Sequence, residues 1–169
     1  RALGVELVMR PGRYASDTSS AMDVVRHFVG ELPENIASRN PYIVYLQPTS
    51  PLRSAQHIDR ALIEMEMRQE HTLMSVVELV KSPFKSFLID SHGRLQSLFD
   101  EKLSNSRRQD LPKAYIPNGA IYIFRLSDFV ARDGFPSDGS WPFVMTEEES
   151  IDIDTEEDFR DLERYVGEK

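Results

Sequence analysis

The stretch from Tyr42 to Arg53, with the helix after it, constrains the fold more than any other part of this 169-residue chain. Residues 42–46 are rich in β-branched and aromatic side chains, which is typical of a strand buried on both faces of a mostly parallel sheet. Two prolines in the polar loop 47–51 end the strand and prevent a helix from starting at once. Apolar residues then recur at helical spacing after Ser54, at Ile58, Ala61, Leu62 and Met65.

A strand, a stiff loop and a helix in this order place a ligand at the carboxyl edge of an α/β sheet. An ordinary strand-to-helix connection has the same pattern, so this stretch alone leaves both interpretations open. The neighbouring segments extend the alternation, with a short strand at 5–9, a helix carrying Met22, Val25 and Val29 on one face, and a strand at 73–79. This order predicts parallel strands joined by right-handed crossovers.

Composition excludes several classes of protein. A net charge of −8 and a pI near 5.0 argue against nucleic acid as the main partner, which requires a basic face. No apolar run approaches the ~18 residues needed to cross a bilayer. The chain has no cysteine, which rules out disulfides and thiolate chemistry and fits a cytoplasmic location. We therefore expect one soluble domain with a substantial core.

The pattern changes after residue 82. Residues 87–98 predict a β-hairpin with Gly93 in its turn, and the polar residues 99–113 predict a long irregular loop. We therefore divide the chain into a first core part at 1–82, an inserted hairpin arm at 83–114 and a second core part at 115–169. The arm is either a dimerisation element or a surface ornament.

The second core part predicts a buried strand at 119–124, a short helix at 126–131 and a brief strand at 142–145. A last helix after Thr155 turns Phe159, Leu162 and Val166 inward.

Two carboxylates precede that last helix. In the segment 151–154, read IDID, alternation on a strand turns Asp152 and Asp154 to one face. Paired carboxylates suit Mg²⁺, which prefers one or two of them together with substrate phosphates. The alternative is that Asp154 and Thr155 only cap the helix. The phosphatase pattern D-x-D-x-T is not met, because Glu156 occupies the threonine position.

Other polar residues are less specific when taken alone. Asn118 and Gly119 place an amide just before a strand, but Asn-Gly is also the commonest hairpin turn. Arg107 and Arg108 suit recognition of a carboxylate or phosphate, although a solvated charged loop explains them equally well. The four histidines have no metal or catalytic-triad spacing.

Five motifs stand in the order in which one family carries them. They are Arg10-Pro11 with ASDT at 15–18, LQPTSPLR at 46–53, RQDLP at 108–112, Tyr115 with NGAIY at 118–122, and SIDIDTE at 150–156. On these motifs the chain resembles the N-acylneuraminate cytidylyltransferases, also called CMP-sialic acid synthetases, over essentially its whole length.

The resemblance implies a mostly parallel, Rossmann-like nucleotidyltransferase sheet with helices on both faces and a β-rich arm that makes a homodimer. It also implies a reaction, in which CTP and a nine-carbon 2-keto sugar acid give a CMP-sugar and pyrophosphate with Mg²⁺ or Mn²⁺. Bacterial cell-surface polysaccharide is the expected destination of the sugar. Positioning and electrostatics carry most of such chemistry.

The resemblance also assigns roles to individual residues. Asp152 and Asp154 are the implied metal ligands, and Gln47 is the amide that orients the sugar acid. Asn118, Tyr122 and Phe135 are expected around the sugar, with Phe135 as an apolar wall for the acyl group. Arg108 and Lys85 are expected to reach the anion bound across the dimer, whereas the cytidine side is expected at Arg10, Asp17, Ser19 and Ala21. Ala21 stands where a serine is expected, which puts one hydrogen bond to the nucleotide in doubt.

One departure concerns the nucleotide. The family opens with a phosphate-binding loop of the type Pro-Ala-Arg-x-Gly-Ser-Lys, and nothing like it occurs here. We therefore expect an N-terminally incomplete enzyme that by itself binds CTP poorly and depends on oligomerisation. The alternatives are a cytidylyltransferase for legionaminic, pseudaminic or octulosonic acid, and a non-catalytic dimerising module that binds sugar. The motifs at 47–51 and 118–122 favour a nonulosonic over an octulosonic acid.

Overall fold

A four-stranded mixed sheet forms the centre of the computed structural model, which describes residues 4–16 and 19–167. Its strands lie in the order β1-β5-β2-β6 and are β1 (Tyr42–Tyr45), β2 (Thr72–Glu78), β5 (Tyr115–Arg125) and β6 (Trp141–Met145). A separate hairpin pairs β3 (Phe87–Ile89) with β4 (Leu95–Ser97). The helices are α1 (Ala21–Gly30), α2 (Glu34–Ala37), α3 (Ala55–Arg68), α4 (Glu101–Asn105), α5 (Leu126–Arg132) and α6 (Glu156–Gly167).

The strand directions are those of a mixed α/β sheet. Strand β6 is parallel to β2, whereas β5 is antiparallel to both β1 and β2. Strands β1, β2 and β6 therefore share one direction, but the prediction that β1 and β2 pair in parallel is wrong, because the antiparallel strand β5 lies between them. The eleven-residue strand β5 pairs with both.

Helices cover both faces of the sheet, as expected. Because side chains alternate along β5, Ile121 and Ile123 pack with Ala61 and Met65 of α3. On the opposite face, Phe124 packs with Val25 of α1 and Phe129 of α5, and the two aromatic rings stack with their centroids 5.3 Å apart. The core therefore lies in two layers on either side of β5.

The two predicted long helices begin at side-chain caps. The Ser20 hydroxyl accepts from the Asp23 N–H at the start of α1, and Asp23 accepts from the Ser20 N–H in return. At the start of α3, Ser54 and His57 make the same reciprocal pair, with the imidazole in the place usually taken by glutamate. Each reciprocal pair, a capping box, satisfies backbone N–H groups that have no partner inside the helix.

Two expectations for the first half of the chain are wrong. Residues 5–9 form no strand: they are extended and exposed, and they pair with no strand in the described part of the chain. Strand β1 is not buried on both faces: Ile43 and Tyr45 are partly buried on one face, whereas Tyr42 and Val44 are exposed on the other.

The predicted hairpin is confirmed, and Gly93 takes a positive φ in its turn. The residues after it are more regular than predicted. Residues 99–113 contain α4 and a 3₁₀ turn at Arg108–Asp110, and Phe99 packs on Phe84 with the ring centroids 5.0 Å apart. The capping carboxylate of Asp100, which accepts from the Lys102 N–H, starts this helix.

For each of two polar motifs, the structure contradicts one of the interpretations given above. Asn118 and Gly119 do not form a hairpin turn: they lie inside β5, where the register with β2 shifts between Met74 and Val76. The segment 151–154 is not a strand, and the Ile153 N–H donates to the Thr49 carbonyl instead of to a neighbouring strand. No helix in the described part of the chain is both long and apolar enough to cross a membrane.

Candidate active site

The loop 47–53 leaves the carboxyl end of β1 and is fixed to β5 by one guanidinium group. Nη1 of Arg53 donates to the Gln47 carbonyl at 2.7 Å and to the Ala120 carbonyl at 3.1 Å. Partial burial lowers the pKa of Arg53 from its ordinary value. The loop therefore keeps a defined position beside β5, and Gln47 is held at its backbone carbonyl.

Gly119 is the point at which the Gln47 side chain meets the sheet. Its φ is +75°, in the left-handed region that favours glycine. A Cβ atom at Gly119 would overlap Gln47 Oε1 and lie 3.5 Å from the Ser50 hydroxyl. Glycine is therefore favoured here by the backbone conformation, and a side chain at this position would displace the Gln47 amide from its place.

We expect Gly119→Ala to lower the free energy of unfolding by about 2 kcal/mol or more, because it adds an unfavourable φ to a steric overlap. Gly93→Ala is the matched control, since Gly93 has the same φ of +75° and no atom within 4 Å of its added Cβ. Urea denaturation of both variants separates the two costs. Equal losses in the two variants would mean that the Gln47 side chain moves away at little cost and that the unfavourable φ alone accounts for the effect.

Asn118 lies beside this glycine and is saturated with hydrogen bonds. Its Oδ1 accepts from the Ser75 hydroxyl at 2.6 Å and from the Ala120 N–H, and its Nδ2 donates to the Ser150 hydroxyl at 2.8 Å. Ser75 in turn accepts from the Ile121 N–H. Because the side chain is only 5% exposed and fully paired, Asn118 holds β2, β5 and the turn before residue 151 together.

Tyr122 and Phe135 lie in an aromatic cluster next to these groups. The Phe135 ring stacks on Tyr45 at a centroid distance of 5.1 Å and lies 5.2 Å from Tyr122. The pKa of Tyr122 is raised, mainly by burial and further by Tyr45 and the negative charge of Asp152. The structure thus brings Tyr122 near a predicted metal ligand, and Phe135 against Tyr122.

The two carboxylates of the segment 151–154 differ in their surroundings. Asp152 is partly buried, and its Oδ1 is fully enclosed with no hydrogen-bond partner in the described part of the chain. Asp154 is exposed. The helix cap is made one residue later, where the Thr155 hydroxyl accepts from the Asp158 N–H and the Asp158 carboxylate accepts from Thr155, which lowers the Asp158 pKa. Asp152 is therefore not needed for capping.

The donor set at these carboxylates is small. No group of three or more His, Asp or Glu side chains in the described residues could hold a metal ion by itself. Two carboxylates, one with an unpaired enclosed oxygen, fit instead a hard cation that takes its remaining ligands from phosphates and water.

The predicted nucleotide side is only partly described. Arg10 is exposed at the rim of a mostly apolar cavity of about 360 Å³ between α1 and β1. The Ser19 hydroxyl bonds to the Ser16 hydroxyl at 2.9 Å, and Ala21 is the first residue of α1. Asp17 lies outside the described residues.

The two arm cations lie away from these groups. Lys85 Nζ donates to the Ser104 carbonyl within the arm, and Arg108 is exposed in its 3₁₀ turn. Within the described residues, neither makes a hydrogen bond or ion pair with the loop 47–53 or with residues 151–154.

Several residues of the site have no counterpart in the predictions. Ser50 is 3% exposed and its hydroxyl has no partner in the described residues, while Ser75 and Ser150 complete the Asn118 network. His57 reaches Glu149, with 3.2 Å between Nε2 and Oε1. Ser50 and Ser150 lie in the quoted motifs but were given no role, and His57 stands three residues after Ser54, where a capping box places its second member.

The chain is similar to several curated proteins. It is 30% identical over 157 residues to an N-acylneuraminate cytidylyltransferase of Streptococcus agalactiae serotype III, covering 92% of this chain and 36% of that protein. This chain matches the N-acylneuraminate cytidylyltransferases. The match confirms the resemblance carried by the five motifs, and the chain spans about a third of the length of these relatives.

Cytidylyltransferases named for other sugar acids are also similar. A pseudaminic acid cytidylyltransferase of Campylobacter jejuni is 27% identical over 148 residues, covering 86% of this chain and 60% of that protein. A CMP-N,N'-diacetyllegionaminic acid synthase of Legionella pneumophila is 30% identical over 127 residues, covering 73% of this chain and 53% of that protein. No family model matches the chain.

Among solved structures, a 4-diphosphocytidyl-2C-methyl-D-erythritol synthase from Anaerococcus prevotii superposes with a TM-score of 0.57. The match covers 89% of this chain and 68% of that chain at 11% sequence identity. It concerns the fold alone, and it confirms the predicted α/β architecture.

Proposed function

We propose that this chain carries the sugar-acid half of a cytidylyltransferase that activates a nonulosonic acid with CTP. One contact carries the proposal: the Ile153 N–H donates to the Thr49 carbonyl at 2.9 Å. It joins the loop of Gln47 to the segment of Asp152 and Asp154, so that an amide for the sugar and carboxylates for a cation lie at one edge of the sheet. The names of the similar enzymes support the same chemistry.

In the proposed reaction, the anomeric hydroxyl of the sugar acid attacks the α-phosphate of CTP. A bond forms between that oxygen and the phosphorus, the bond to the β-phosphate oxygen breaks, the hydroxyl proton is released, and pyrophosphate leaves. Gln47 orients the sugar acid, and Tyr122 and Phe135 form the apolar side of its pocket. Asn118, whose hydrogen bonds are all internal, acts by positioning Gly119 and thus Gln47.

Asp152 and Asp154 are the proposed ligands for Mg²⁺ or Mn²⁺. The enclosed, unpaired Oδ1 of Asp152 supports this role, because an ionised oxygen without a partner is costly unless a cation or donor joins it. A bound divalent cation would neutralise charge on the phosphates. The proposed cytidine side lies at Arg10, Asp17, Ser19 and Ala21.

We also propose that the arm makes a homodimer in which Arg108 and Lys85 reach the partner's bound anion. The arm exposes apolar side chains on both strands of its hairpin, including Leu88, Ile89 and Leu95, and such a surface favours association. Light scattering on the purified protein measures this association. A cytoplasmic location and a role in bacterial cell-surface polysaccharide complete the proposal.

The test is pyrophosphate release from CTP and Mg²⁺ by the full-length protein that contains this chain, with a panel of N-acetylneuraminic, legionaminic, pseudaminic and octulosonic acids, because the chain alone is expected to bind CTP poorly. We expect turnover with one nonulosonic acid, and turnover with octulosonic acid alone would select that alternative. No turnover with any acid would favour a non-catalytic module that binds sugar.

Gln47→Ala tests the assignment of the sugar side in the same assay. We expect the KM for the sugar acid to rise about tenfold or more and the KM for CTP to change less than about twofold, because only one orienting amide is lost. An equal rise in both constants would contradict the role of Gln47.

A further inference from the structure

His57 links two parts of the site that no sequence motif connects. The imidazole is 8% exposed, and its Nδ1 accepts from the Ser54 N–H at 3.2 Å. Since Nδ1 is the acceptor, the ring proton is assigned to Nε2, which donates to Glu149 Oε1 at 3.2 Å. One side chain thus caps α3, directly after the loop of Gln47, and also holds the turn after β6.

Glu149 organises that turn from within. Its Oε2 accepts from the Thr146 N–H at 3.0 Å, and its own N–H donates to the Thr146 hydroxyl. The hydrogen bond from the Thr146 backbone is the main cause of a lowered Glu149 pKa, with a further contribution from His57. The carboxylate therefore remains ionised and accepts on both oxygens at once.

The same turn is held from the other side by Asn118. The Ser150 hydroxyl accepts from Asn118 Nδ2 and donates to the Thr146 carbonyl at 2.6 Å. Residues 146–150 are thus fixed by His57 from α3 and by Asn118 from β5. Asp152 follows two residues later, and the next backbone N–H bonds to the Gln47 loop.

We propose that His57, acting through Glu149, is a positioning residue that sets the place of Asp152 relative to Gln47. A carboxylate has to be held within about 0.5 Å of its productive position, and residues behind the ligands usually provide this. Asp152 has no hydrogen bond of its own at Oδ1, so its position depends on the backbone on either side. The expected effect of His57 on catalysis rests on the proposed function. The expected effect of His57 on the position of residues 146–154 does not.

Two substitutions of His57 separate capping from positioning. His57→Asn keeps an acceptor for the Ser54 N–H but is too short to reach Glu149. His57→Gln retains an N–H donor at the reach of Nε2. His92→Asn is the matched control, since His92 is exposed in the arm.

Amide hydrogen exchange is the first measurement and needs no activity. We expect peptides covering 146–154 to exchange about tenfold faster in His57→Asn, to stay within about threefold in His57→Gln, and to be unchanged in His92→Asn. Peptides covering the hairpin 87–97 should be unchanged in both His57 variants. Unchanged exchange at 146–154 in His57→Asn, or an equal increase at 87–97, would overturn the proposal.

The Mg²⁺ requirement is the second measurement. His57→Asn should raise the Mg²⁺ concentration for half-maximal turnover about tenfold with the KM for the sugar acid unchanged, and His57→Gln should restore most of the loss. If the unmutated protein turns over no acid, the proposed function fails, whereas the exchange experiment still decides the role of His57.

Discussion

Asp152→Asn is expected to abolish most nucleotidyl transfer while leaving the fold as stable as before or slightly more stable. The substitution keeps the shape of the side chain but removes the charge from an enclosed oxygen that has no partner in the described residues. Stabilisation of phosphate charge by a cation contributes several kcal/mol, so we expect turnover to fall by about 10²- to 10³-fold. Pyrophosphate release and thermal unfolding are the two measurements.

The combination of results is diagnostic. Substituting a residue that stabilises the fold lowers the stability and the activity of the protein together. Substituting a residue that serves only function lowers the activity alone. Asp59→Asn is the control, because Asp59 is an exposed carboxylate on α3 and the same change there should alter neither quantity. Near-normal turnover in Asp152→Asn would exclude Asp152 as a metal ligand.

Asn118→Leu is expected to lower the free energy of unfolding by about 3 kcal/mol. The substitution removes the partner of the Ser75 hydroxyl, the Ala120 N–H and the Ser150 hydroxyl in a buried place, and each buried group left unpaired costs about 1–3 kcal/mol. Leucine branches at the same atom but is larger, so overpacking adds to the loss and no cavity is left.

Urea denaturation measures this loss, with Asn105→Leu as the control. Asn105 is exposed on α4 and makes one bond to the Glu101 carbonyl, so its replacement should change stability by less than about 0.5 kcal/mol. A loss below about 1 kcal/mol in Asn118→Leu would mean that water or a rearranged Ser75 replaces the amide. Asn118 would then not be the centre of this network.

Local patterns predicted the helices well because their signals lie within a few residues. The apolar spacing of Val25 and Val29, and of Ala61 and Met65, was enough to place α1 and α3. The inward orientation predicted for Phe159 and Val166 on the last helix is wrong, because both side chains are exposed. The strand at 5–9 was wrong because a strand requires a partner, and local sequence carries no information about which segment lies beside it.

The candidate site was predicted as a set of residues but not as an arrangement. Gln47, Asn118, Tyr122 and Asp152 were all named from motifs. Their relations depend on contacts across tens of residues, such as Ile153 to Thr49 and Asn118 to Ser75. The role of Asn118 changed most, from a residue lining the sugar pocket to one whose polar atoms are fully used inside the protein.

The sequence by itself predicted the resemblance to the cytidylyltransferases, the order of most helices and strands, and the identity of the polar residues, since these depend on short patterns. Only the tertiary structure decided that β5 lies between β1 and β2, that Gly119 supports the Gln47 side chain, and that His57 reaches Glu149. The physical reason is that hydrogen bonds and steric contacts act between atoms a few ångströms apart. Chain separation does not limit such contacts, so folding can join residues 57 and 149 although no local pattern relates them.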